Sequence, residues 1–129
     1  MHIKIMVDNE SLTSETSTFC KWIRQSYPDV KISIPESKVR HQLNDHSLML
    51  PLVQLVTELD LVNYLNLTLE YMNFKCRGSM KSDKQNMELR AEVPYGNNGE
   101  LKLFHFKGTA DDFSKTVKKF DPNAFFRGD

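Results

Sequence analysis

A chain of 129 residues, 40% hydrophobic and 26% charged, has the size and make-up of one globular domain and can bury a core without disulfide or metal support. Seventeen basic residues balance seventeen acidic ones, so the formal net charge is zero and no global field draws the chain to nucleic acid or to an anionic membrane. Two cysteines, Cys20 and Cys76, do not make a secreted disulfide framework and read as free, partly buried thiols.

Residues 2–8 alternate, with Ile3, Ile5 and Val7 to one side and His2, Lys4 and Met6 to the other, the pattern of a half-buried strand. This opening lacks the long apolar core of a signal peptide. Asp8-Asn9-Glu10-Ser11 supplies turn and cap chemistry, and the spacing of Leu12, Phe19, Trp22, Ile23 and Tyr27 predicts a helix to about Tyr27, ended by Pro28. Val30, Ile32 and Ile34 form a second strand stopped by Pro35. The three segments make a βαβ-like unit, with a right-handed crossover if the strands are parallel neighbours. Residues 35–47 are polar, carry His41 and His46, and read as a loop with at most one helical turn.

From Leu48 to about Arg77 the chain reads as helical, with Asp45 or Ser47 as cap and Pro51 in the first turn. A single helix of roughly 30 residues would be about 45 Å long, more than a compact domain accommodates. A break near Glu58–Asp60, with Asp60 as a cap, is therefore preferred over one protruding helix. Gln54, Glu58, Asp60, Asn63, Asn66 and Glu70 interrupt this stretch too often for a membrane span.

Gly78 is a natural helix C-cap, and the polar residues 78–86 read as the most flexible internal loop. Met87, Leu89, Ala91 and Val93, the turn Pro94-Tyr95-Gly96-Asn97-Asn98-Gly99, and Leu101, Leu103 and His105 predict a β-hairpin. Leu101 and Leu103 are expected to face the core and Phe104 and Phe106 the opposite side. Thr109 caps a last helix with Asp111 and Asp112 in its first turn; Phe113, Val117 and Phe120 form its buried stripe, and Asp121-Pro122 stops it. The predicted class is α+β: a four-stranded mixed sheet, in the order β-α-β-α-(α)-β-β-α, with helices packed mainly on one face. Residues 1–120 form one domain and 121–129 a C-terminal tail.

Chemistry-bearing patterns are sparse. The histidines and cysteines have no structural-zinc spacing; His41 and His46, five apart, read as solvated loop residues. There is no Gly-x-Ser-x-Gly elbow and no signature around either cysteine, so a Cys20 or Cys76 dyad with a histidine would have to be assembled in space. Gly96-Asn97-Asn98-Gly99 is a turn rather than a phosphate cradle. Lys75, Arg77, Lys81 and Lys84 form a basic segment suited to an anionic ligand or nucleic acid, and Lys115, Lys118 and Lys119 line a helix; the aromatic strand lacks the octamer pattern of RNA-binding sheets. Phe104 and Phe106 are either covered by the last helix or the tail, the preferred reading, or form with Phe125, Phe126 and Arg127 an apolar patch for a partner.

The succession of segments resembles the effector-associated constant component family of prokaryotic conflict systems. The likeness is carried by the opening strand and amphipathic helix with Phe19-Cys20-Lys21-Trp22-Ile23-Arg24, the short strand around Ile32, the leucine-rich middle from Leu48 to Phe74 and the closing hairpin plus helix. It covers most of the chain at the level of layout and transfers no catalytic residue. It implies a non-catalytic accessory or adaptor domain in antiviral defence, associated with a separately encoded, often peptidase-like effector. The expectation is thus a cytoplasmic protein–protein interaction or regulatory module with no cofactor and no metal. The alternatives are a nucleic-acid or anionic-ligand module using residues 75–84, and a cysteine enzyme.

Overall fold

A computed structural model describes residues 1–7, 11–13, 15–35, 40–42, 48–75, 85–96 and 99–127. The elements in chain order are β1 (His2–Ile5), β2 (Ser11–Thr13), α1 (Thr16–Ser26), β3 (Lys31–Ser33), β4 (Arg40–Gln42), β5 (Leu48–Gln54), α2 (Glu58–Lys75), β6 (Asn86–Tyr95), β7 (Glu100–Thr109), α3 (Ala110–Lys118) and α4 (Pro122–Arg127). The fold is α+β with a mixed sheet, but the main sheet has five strands, not four, in the order β3-β1-β5-β6-β7.

Two strand–helix–strand units and a hairpin build this sheet. β1 and β3 pair in parallel across α1, so the βαβ-like reading of the opening segments has its strands as parallel neighbours, and β5 and β6 pair in parallel across α2. β1 and β5 join the two units antiparallel, and β6 and β7 form the hairpin. β2 and β4 make a separate parallel pair. Hence residues 11–13 are extended rather than part of the first helix, which starts at Thr16, and residues 40–42 are a strand rather than loop or helix.

The larger correction is Leu48–Gln54, expected to be helical. An apolar run of this length satisfies a buried strand and a helix alike, and position in the sheet decides between them. With β1 on one side and β6 on the other, β5 is a central strand, and its ladder bonds replace those a helix would supply. Pro51 does not open a helix; it sits where the register with β6 shifts between Met49 and Leu52, an irregularity that tolerates a missing N–H. The expected break then appears as the start of α2 at Glu58. The cap is Thr57 rather than Asp60: Thr57 Oγ1 accepts from the Asp60 amide and Asp60 Oδ2 accepts from the Thr57 amide, each at 3.2 Å.

Register assigns the two sheet faces. Ile3, Ile5, Val53, Met87, Leu89, Ala91 and Val93 are buried and lie on one face, where Phe19, Cys20 and Ile23 of α1, Tyr64, Leu65 and Tyr71 of α2, Phe113 of α3 and Phe126 of α4 complete a single core. All four helices therefore contribute to one side of the sheet. Thr109 caps α3 as expected, its Oγ1 accepting from the Asp112 amide at 3.1 Å. Pro122 stops α3 but also opens α4, with Asp121 Oδ1 accepting from the Asn123 amide at 3.0 Å. Residues 122–127, expected as tail, thus form a helix.

Candidate functional site

The strands of the hairpin place the phenylalanines. Phe106 is opposite Leu89 and Phe104 opposite Ala91, so both share the core face; Leu103 is opposite Glu92 and Leu101 opposite Pro94, so both share the other. The expected orientation of the hairpin is reversed. Alternation defines two faces but not which one the helices cover, and here α3 and α4 cover the phenylalanine side. Phe104 is 8% exposed and meets the rings of Phe120 and Phe125 edge-on, each at 5.6 Å; Phe106 lies 5.1 Å from Phe113. Phe126 is 4% exposed and packs on Phe125 and Tyr95. Phe104 and Phe126 are thus buried, and Phe106 and Phe125 are partly buried against the same core, where these rings form the joint between β7 and the C-terminal helices. Arg127 ties that joint to α2 through Glu58 at 3.1 Å. Lys102 donates to the Phe125 carbonyl, and its ammonium also lies 4.9 Å from the Phe125 ring centre.

The apolar surface lies on the other face. Leu101 and Leu103 are 48% and 49% exposed, next to each other on β7, with Pro94 alongside on β6. β7 is ten residues long and ends the sheet order, so among the described residues one of its edges is unpaired. Farther along the same face His105 bonds Glu88 at 2.7 Å. The sequence pattern missed Leu101 and Leu103 as surface residues. The available signal was that the segment directly after this strand carries Phe113 and Phe120, and aromatic residues on a strand and on the segment after it tend to pack together.

The remaining candidates divide between structural roles and residues outside those described. Cys20 is a buried free thiol; burial pushes its pKa up against the opposing pull of the Arg24 guanidinium, which leaves it protonated rather than nucleophilic. His2 and His105 lie on the sheet face opposite Cys20, so neither meets it. Lys75 pairs with Glu15 at 3.1 Å, and Glu15 also accepts a hydrogen bond from the Tyr71 hydroxyl, a tie between α1 and α2. Burial, and next that bond, push the Tyr71 phenol up. Trp22, Tyr71 and half-exposed Phe74 extend this seam, with Trp22 and Phe74 stacked at 6.2 Å. Arg77, Lys81, Lys84, Cys76 and His46 lie outside the described residues, and His41 lies in β4, of which only the backbone is described. Lys115 pairs with Asp111 on the surface of α3. Among the described residues no cluster of three metal-ligating side chains occurs, and no described helix is long and apolar enough to cross a membrane. No protein-family model, curated protein or solved structure matches the chain.

Proposed function

We propose that this domain is a non-catalytic accessory module that works by docking another protein at β7, on the sheet face opposite the described helices. Leu101 and Leu103 carry the reading: two leucines side by side on one face, each about half exposed on an edge strand, while Phe104 on the other face is buried and Phe106 partly buried. An exposed apolar pair beside unpaired backbone groups offers a partner both anchor contacts and main-chain hydrogen bonds. The layout-level resemblance to the effector-associated constant components supplies the biological setting: a cytoplasmic adaptor in prokaryotic antiviral defence, working with a separately encoded effector. Buried, protonated Cys20 and the separation of His2 and His105 from it support a non-catalytic role.

The test compares affinity capture by the intact chain and by the Leu101→Ser/Leu103→Ser variant. Loss of anchors should weaken retention of the partner about tenfold or more while the thermal midpoint holds. Undiminished retention by the variant would place the contact elsewhere.

A further inference from the structure

Independently of docking at β7, the opposite end of the same sheet face bears a cation with no ion-pair partner among the described residues. Lys4 is exposed on β1. Register puts Ser33 of β3 beside it on one flank and Gln54 of β5 on the other. His2, two residues earlier on the same face, holds the Ser33 hydroxyl at 2.6 Å. Across the row the first carboxylate is Glu92, beyond Gln54 and so two strand spacings, roughly 10 Å, from Lys4. That is about one Debye length at ordinary ionic strength, so its neutralising effect is small.

Two pockets open on either side of Lys4. The larger, about 360 Å³, lies at the carboxyl ends of the parallel strands β1 and β3; its apolar lining includes Met6, Val7, Ile34 and Pro35, and among the described residues its polar lining is Lys4 and Ser33. The smaller, about 260 Å³, runs over His2, Gln54, Val56 and Pro94. The first has a volume suited to a small ligand and sits where parallel strands usually present one. Ile34 is 40% exposed there, although the alternation of β3 would turn it inward, so an apolar wall faces solvent beside a cation and the Ser33 hydroxyl.

We infer that the Lys4 pockets bind a small amphipathic carboxylate, with its head on Lys4 and Ser33 and its apolar arm in the larger pocket. Among the described lining residues Lys4 is the one lysine or arginine, which matches a monoanion, whereas a phosphate dianion would need a second cation in contact. Neither the head nor the arm suffices alone, since an open pocket gives a short anion only a screened charge and an alcohol no charge partner.

The experiment is a titration of the isotopically labelled full chain by NMR with octanoate, octanol and acetate. Octanoate should produce saturable shifts centred on Met6, Val7, Ser33 and Ile34. Octanol and acetate should each bind at least about tenfold more weakly. Lys4→Gln should weaken octanoate about tenfold or more, the range expected for a charge-assisted hydrogen bond, with an unchanged thermal midpoint. Lys107→Gln, on the same face at the other edge, should leave the affinity alone. Absence of saturation, octanol binding as tightly as octanoate, full affinity in Lys4→Gln, or shifts confined to other regions would each overturn the site. The Leu101→Ser/Leu103→Ser variant should bind octanoate normally, which separates failure of this site from failure of the docking face.

Discussion

Replacing Phe104 by Ala tests which face of the hairpin is the core. Phe104 is nearly buried, opposes Ala91 across the strand pair and contacts Phe120 and Phe125, so truncation removes a ring from the joint between β7 and α4. Phe→Ala changes in cores cost about 3–5 kcal/mol. A short helix such as α4 can settle into part of the space, which puts the expected loss near the lower end, about 3 kcal/mol. For a domain of this size that lowers the thermal midpoint by about 10–15 °C. Leu103→Ala removes a side chain that already keeps half its surface in water and should cost about 1 kcal/mol or less. Urea unfolding followed by far-ultraviolet circular dichroism and by Trp22 fluorescence, with equal slopes for both variants, reads the difference. Equal losses, or a greater loss for Leu103→Ala, would mean that the two faces have been assigned the wrong way round.

Other consequences follow from individual contacts. Thr57→Ala removes one half of the reciprocal cap of α2 and should lower stability by about 1 kcal/mol in the same unfolding assay, with Thr57→Ser close to wild type. Tyr71→Phe deletes the hydroxyl that Glu15 accepts and should cost about 1–2 kcal/mol, measured against a Glu15→Gln variant in a double-mutant cycle. Burial raises the phenols of Tyr64 and Tyr71 above the ordinary value near 10. The folded chain therefore holds protons that the unfolded chain releases, so this contribution is complete below pH 10 and is lost as pH rises beyond it; absorbance at alkaline pH should show both phenols un-ionised until unfolding. Gly96 has φ of +67°, and Gly96→Ala should cost about 1 kcal/mol from backbone strain alone, because a Cβ there meets nothing within 4 Å. Asn at the same position should recover part of the loss.

Much of the fold was legible because local signals agreed with tertiary context. Ile3 and Ile5 alternate in a strand that is buried on one side, the glycines around residues 96–99 turn the hairpin, and Thr109 with Asp112 opens α3. The strand Leu48–Gln54 was not legible, since Leu48, Leu52 and Leu55 also fall at helical spacing and only pairing with β1 and β6 distinguishes the two. The second small sheet was hidden for a related reason: the pairing of residues 11–13 with 40–42 joins segments far apart in sequence and polar in character, which carry no periodic signal. The proposed docking face was half legible. The pattern separated Leu101 and Leu103 from Phe104 and Phe106, but coverage by α3 and α4, a non-local fact, determines which pair meets water. Lys4 looked like an ordinary solvated strand residue until register set Ser33 and Gln54 beside it.

The central claim, that the sheet face at β7 opposite the described helices holds a partner protein, is tested most directly by placing a photo-crosslinking amino acid at Leu103 and, as a control, at Lys118 on α3, then irradiating intact cells. The account predicts one dominant crosslinked protein from position 103, stable to high salt and absent from position 118. No adduct at position 103, or the same adducts from both positions, would contradict it.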